Sequence, residues 1–235
     1  MSIDIQIWSD IACPWCYIGK LRFEKALAQF PQRDEVNVTW RSFQLDPTLP
    51  EHTDRDEIEY LVQSKGMPRA AVEQMIAQVK QVAAEEGLDY DFDSLVVANS
   101  RRAHRLLQAA KRTDAAVADA LKEALLSAHF ERGGDIGNAE QLVALGMAAG
   151  LDEATSRAAL DSDELDQAIE ADLRDAAAIG VRGVPFFVID NKYGVSGAQP
   201  AELFLQALTT AYAEKSPSLI TLDGGGEACG PEGCA

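Results

Sequence analysis

Strand-like alternation frames this 235-residue chain near both ends, and helical periodicity fills the long interval between. Ile3-Asp4-Ile5-Gln6-Ile7-Trp8 alternates apolar and polar residues, as a half-buried strand does. Tyr17 to Phe30 reads as a helix, and Val36-Asn37-Val38-Thr39-Trp40-Arg41-Ser42-Phe43 alternates again. Two strands joined through a helix make a right-handed unit with parallel strands. Pro47 and Pro50 then break the pattern. Strand character returns at Val184-Pro185-Phe186-Phe187-Val188-Ile189-Asp190. Asn191-Lys192 signals a turn, and Tyr193-Gly194-Val195-Ser196-Gly197 reads as the partner strand of a hairpin. Ala201 to Ala213 is a final amphipathic helix. The order βαβ, helices, ββα predicts one sheet completed by segments far apart in sequence, around an inserted helical block.

That block runs from about Asp56 to Gly180. Val72, Met75, Ile76 and Val79 form one apolar stripe, Val117, Leu121 and Leu125 a second, and Leu165, Ile169 and Leu173 a third. Their spacing of three or four places each set on one helix face. Gly87, Gly133-Gly134 and Gly150 mark breaks. Asn138 followed by Gln141 has the form of a capping box opening a helix.

Between the first strand and the first helix lies Cys13-Pro14-Trp15-Cys16. A thiolate at a helix N-terminus is stabilised by unpaired N–H groups and the positive end of the macrodipole. The expectation is a lowered pKa for Cys13, and only the thiolate attacks disulfides. Cys16 follows one helical turn later on the same side, placed to resolve a mixed disulfide. Pro14 suits the first turn, where its missing N–H costs nothing. A zinc site built from all four cysteines is the alternative use of these thiols.

Net charge is −17, from 38 acidic and 21 basic residues. Such a chain is not expected to bind nucleic acid or an anionic membrane. No stretch approaches the length of a membrane span, and Met1-Ser2-Ile3-Asp4 lacks the basic start of a secretory signal. The expected compartment is the cytoplasm, where paired cysteines are more often catalytic than structural.

Asp10-Ile11-Ala12-Cys13-Pro14-Trp15-Cys16-Tyr17-Ile18-Gly19-Lys20 resembles the active-site segment of the DsbA-like branch of thioredoxin-fold proteins. Gly183-Val184-Pro185-Phe186-Phe187-Val188 resembles that family's cis-proline segment. Asn99, Ala103-His104-Arg105-Leu106 and Val195-Ser196-Gly197-Ala198-Gln199 resemble its cytoplasmic FrnE-like subgroup. The resemblance runs from about residue 3 to residue 213. It implies an α/β fold, a thioredoxin fold interrupted by a large all-helical insertion. Residues 1–48 and 176–214 would form the thioredoxin-like part, 49–175 the insertion and 215–235 a flexible tail. It also implies a cis Val184-Pro185 bond beside the dithiol, with Pro185 shaping the groove. An extended substrate would pair with Val184 by β-augmentation and lie against Pro14 and Trp15. Isomerases and glutathione transferases of the superfamily carry the same insertion, but typically have serine where this chain has Cys13.

The resulting reading is a protein thiol–disulfide oxidoreductase, with isomerase activity a further option. No cofactor is required, and glutathione is a candidate co-substrate. A glutathione-dependent isomerase or transferase, or a redox-sensing chaperone, are the alternatives. The partners expected are protein disulfides, thiols or glutathione. Asp10 is the nearest ionisable group, a candidate proton relay or else a capping, solvated carboxylate. His104, among Arg101, Arg102 and Arg105, is expected on a solvated basic face. Near the C-terminus Cys229 and Cys234 enclose Gly230-Pro231-Glu232-Gly233, a turn-forming run. A flexible linker of about fifteen residues spans roughly 20 Å, which would let this second pair exchange electrons with Cys13.

Overall fold

The computed structural model describes residues 2–51, 53–215, 229–230 and 233–234, the last four by their backbone pairing alone. The first strand, β1 (Ile3–Ser9), leads through a short loop into helix α1 (Pro14–Gln29), and β2 (Val36–Ser42) follows. Pro14 occupies the first turn and Cys13 the N-cap, so the helix opens three residues before the apolar run at Tyr17 suggested. A cap and a proline carry no periodicity, and periodicity alone therefore starts the helix late.

Seven helices come next: α2 (Glu57–Lys65), α3 (Arg69–Glu85), α4 (Arg101–Thr113), α5 (Ala115–Glu131), α6 (Ala139–Ala149), α7 (Glu153–Leu160) and α8 (Asp163–Ala178). Gly87, Gly133 and Gly150 all adopt positive φ at the breaks between them. Asn138 caps α6 by accepting from the Gln141 N–H, but the Gln141 side chain accepts from the Asp135 N–H instead of returning to Asn138. The expected box is thus half formed.

The chain returns through the hairpin β3 (Phe186–Ile189) and β4 (Tyr193–Ser196) and closes with α9 (Ala201–Lys215). The four strands run in the order β2-β1-β3-β4. β1 is parallel to β2 and antiparallel to β3. The turn of the hairpin falls at Asp190 and Asn191, both in the left-handed region that short polar side chains tolerate.

Ile3, Ile5 and Ile7 share one apolar cluster with Phe23 of α1, Phe187 of β3 and Phe204 of α9. Phe187 stands 5.6 Å from Phe23 and 4.5 Å from Phe204, ring centre to ring centre. Trp8 instead joins Ala176 of α8 and Val181 and donates to the Asp172 carbonyl. The sheet is therefore covered on both sides. Two of the expected stripes are displaced. Met75 is exposed while Val72 and Val79 are buried, and on α8 the buried positions after Ile169 are Asp172 and Ala176, with Leu173 only half-buried. Asp172 is tolerated inside because Arg41, the Ser42 N–H and Gln108 all donate to it.

Candidate active site

The register of the sheet builds the site. Trp8 pairs with Phe186 across the antiparallel β1–β3 ladder, so Pro185 arrives beside the loop that follows β1. The Val184-Pro185 bond is cis, as the family resemblance implied. Gly19 of α1 packs beneath it: a Cβ at Gly19 would stand 2.8 Å from Cγ of Pro185. The Gly197 N–H, after β4, donates to the Pro185 carbonyl at 2.8 Å. On the insertion side, the Tyr90 hydroxyl donates to the Pro14 carbonyl at 2.7 Å and ties the first turn of α1 to the helical block.

Within this frame Cys13 is the outer thiol, 4% exposed, and Cys16 the inner one, 1% exposed. Both are free thiols. The Cys13 thiol lies 3.5 Å from the Val184 carbonyl, which accepts from it. Trp15 is 36% exposed and Leu45 47%, two apolar side chains left uncovered beside or near the motif. Val184 and Pro14 are half-buried.

The acidity of the pair differs from the helix-terminus expectation. The hydrogen bond shared with Cys16 raises the Cys13 thiol well above its usual range, and burial and the Asp10 charge add to it. Burial also raises Cys16, but the hydrogen bond from Cys13, the Lys122 charge and Ser9 outweigh it and leave Cys16 lowered. The reason is local. The Asp10 charge and the Cys16 sulfur act against an anion on Cys13, whereas the Lys122 charge favours one on Cys16. The electrostatics of the pair thus favour negative charge on the inner sulfur over the outer one.

Asp10 is neither solvated nor a helix cap. It is buried and accepts from the Leu45 N–H at 2.8 Å, from the Ala12 N–H at 3.3 Å and from His104 Nε2 at 3.1 Å. Burial would raise its carboxyl, but the His104 bond and charge, the Leu45 N–H and Ser100 hold it below the usual value. His104 is completely buried, so it leaves the basic face on which the arginines lie. Arg101 and Arg105 of that face are engaged by Asp166. Sequence reading missed Lys122 altogether. It is completely buried, with its Nζ 5.4 Å from the Trp40 ring centre.

His129, on α5, is a second buried histidine, and burial pushes its pKa down to about 4 against the attraction of Gly134, Asp10 and Asp135. Its ordinary value is 6.5. Between these two pH values the unfolded chain binds a proton that the folded chain refuses. Stability is full above about pH 6.5 and falls as the pH drops towards 4, by up to about 3 kcal/mol. Urea unfolding at pH 7.5 and 4.5 measures this. His129→Leu should flatten the dependence, and an identical slope in the variant would count against His129 as its source.

Known proteins resemble the chain along almost its whole length. Residues 4–209 match the DSBA-like thioredoxin domain family. A solved structure, described as a probable DsbA oxidoreductase from Streptomyces coelicolor, is 44% identical with a TM-score of 0.84, over 99% of this chain and 98% of that one. The cytosolic disulfide reductase DsbM from Pseudomonas aeruginosa is 18% identical with a TM-score of 0.61, over 90% of this chain and 99% of that one. At that identity the likeness is one of fold. Among curated proteins, the uncharacterized protein YwbO of Bacillus subtilis (strain 168) is 24% identical over 223 residues, covering 92% of this chain and all of that one. The chain belongs to the DSBA-like thioredoxin domain family, within the oxidoreductases of the thioredoxin superfamily.

Cys229 and Cys234 stand opposite each other across a two-residue antiparallel ladder, β5 (Cys229–Gly230) with β6 (Gly233–Cys234). Their side chains, and the linker 216–228, lie outside the described residues.

Proposed function

We propose that the protein exchanges disulfides with protein thiols through Cys13 and Cys16. The observation that carries this reading is the placement of an outer thiol and an inner one at the first turn of α1, beside Val184 and Pro185. Cys13 is the nucleophile. Its proton passes to Cys16 along their shared hydrogen bond as the outer sulfur attacks. Cys16 then resolves the mixed disulfide. An extended segment of the client runs along Val184, as strands do in β-augmentation, with Trp15 and Leu45 giving apolar contact to its side chains. Asp10, held ionised beneath the pair, is the candidate relay for the proton that remains.

Glutathione is the proposed small-thiol partner, and the reaction is placed in the cytoplasm. A structure of the DsbM reductase has been solved with GSH, in keeping with that choice. Among the described residues, no helix is long and apolar enough to cross a membrane. The Cys229/Cys234 pair is proposed as a tethered second dithiol, since residues directly opposed in an antiparallel ladder are about 4.5–5.5 Å apart at Cα, within disulfide reach.

Reduction of insulin, with glutathione or a dithiol as electron donor, tests the reading. The unmodified chain should turn over. Cys16→Ser should stop after one step, with client held on Cys13 as a mixed disulfide visible on a non-reducing gel. Turnover indifferent to Cys16 would favour a glutathione-dependent isomerase or transferase instead.

A further inference from the structure

Lys122 is a fully buried lysine on α5, and its neighbour Glu123 pairs with Tyr17 and Lys20 of α1, the helix that carries Cys16. Lys122 Nζ has no hydrogen bond to any of the described residues. The Trp40 ring centre is 5.4 Å away and gives it a cation–π contact. Removing an ion from water carries a cost that persists even after the protein relaxes.

The charged groups around Lys122 come from α1 and from the loop after β1. They are Cys16 and Lys20 on the helix, Cys13 at its N-cap and Asp10 on the loop, while β2 contributes the neutral Trp40. Asp10 is already engaged by His104, Leu45 and Ala12. Lys20 is paired with Glu24 and Glu123. Among the described groups acting on Lys122, the dithiol is the one acidic site not already engaged by another basic side chain. Burial pushes the Lys122 pKa down to about 8, and Cys16 is the first of the charges that pull it back. Lys122 in turn is the charge that lowers Cys16.

We propose that Lys122 is the counter-ion of the Cys16 thiolate and the donor of the second proton of the redox reaction: it holds its proton while the pair is reduced and gives it up when the Cys13–Cys16 disulfide forms. The inference rests on the dithiol reading above. The balance closes. The reduced protein holds one proton on the two sulfurs and an ammonium on Lys122, with no net charge. Cys13 sulfur attacks a client disulfide, the bond from Cys13 to the first client sulfur forms, and the second client sulfur leaves. Cys16 sulfur then attacks Cys13, the Cys13–Cys16 bond forms, and the first client sulfur is released. Two electrons have passed to the client. Its two thiolates take up two protons, one from the cysteine pair and one from Lys122, which remains as a neutral amine. A neutral amine is also the form a core without an anion favours.

It follows that Lys122 stabilises the reduced form and makes the centre more oxidising, since a stabilised thiolate is a poor electron donor. Lys122→Met keeps the length and volume of the side chain and removes the charge. At a fixed glutathione ratio it should shift the dithiol–disulfide equilibrium about tenfold towards the disulfide, and it should move the thiolate absorbance titration near 240 nm to higher pH by about one unit.

The decisive measurement needs no variant. NMR titration of the Lys122 side chain is followed in the dithiol form and in the disulfide form made with a chemical oxidant. A proton affinity at least tenfold lower in the disulfide form is expected. If the disulfide forms and Lys122 titrates alike in both states, the counter-ion assignment falls while the redox reading stands. An unchanged thiolate titration in folded Lys122→Met overturns it equally. If no Cys13–Cys16 disulfide forms at all, both readings fall together.

Discussion

Replacing Cys13 with serine should abolish disulfide exchange, with turnover falling on the order of a thousandfold or more. A serine hydroxyl does not ionise near neutral pH, and its oxygen is a far weaker nucleophile towards sulfur than a thiolate. The consequence is sharper than for Cys16→Ser, because the inner sulfur is almost fully covered and enters the reaction only after the outer one has bonded to the client. The variants therefore differ in kind. Cys13→Ser should give neither turnover nor a trapped client, whereas Cys16→Ser should give the trap alone. Insulin reduction followed by non-reducing electrophoresis distinguishes them. A trapped client in Cys13→Ser would reverse the assigned roles. More than a tenth of the original turnover in that variant would remove Cys13 from the mechanism.

Asp10→Ala is expected to destabilise the fold by about 3–5 kcal/mol, although Asp10 touches no substrate. The buried carboxylate accepts from the Leu45 and Ala12 N–H groups and from His104. Truncation strands these donors away from water, and each buried donor left unsatisfied costs about 1–3 kcal/mol. The loss should appear as a lower urea midpoint with an unchanged slope. Adding His104→Leu to Asp10→Ala should recover part of it, since one of the stranded donors disappears. An Asp10→Ala protein as stable as the parent would show that water enters the site and that Asp10 is not sealed. The same substitution removes an anion that opposes a thiolate at Cys13, so the folded variant should have a more acidic outer thiol.

Local chemistry was the most legible part of this protein. Strand, Cys13-Pro14-Trp15-Cys16 and helix are adjacent in sequence, and adjacency fixes their geometry through backbone periodicity alone. The parallel β1–β2 pair and the β3–β4 hairpin followed for the same reason. Long-range contacts were not legible in that way. His104 lies 94 residues from Asp10, and its neighbours Arg101, Arg102 and Arg105 made the whole helix start look solvated. Its true face was signalled only by the spacing of His104, Leu107 and Gln108, all buried. Lys122 gave no signal because a lysine between apolar helix positions normally reaches solvent, and the packing of α5 against α1 and β2 closes that exit. The acidity of Cys13 departs from the helix-terminus expectation because that terminus is visible in the sequence, while the Cys16 hydrogen bond and the burial that raise it arise only in the folded site. The Val184 carbonyl that helps close the site lies 171 residues away, just before β3.

That separation sets the order in which a newly made chain becomes safe to release. The two cysteines are synthesised well ahead of Val184, Pro185 and the β3–β4 hairpin that flank them. At synthesis rates of about 5–20 residues per second the interval is roughly 10–35 s. Throughout it both thiols travel without their carbonyl and proline neighbours, open to any oxidant or partner thiol in the surroundings. The nascent protein is thus most open to unwanted sulfur chemistry before it can perform its own, and β3 docking beside β1 marks the end of that exposure.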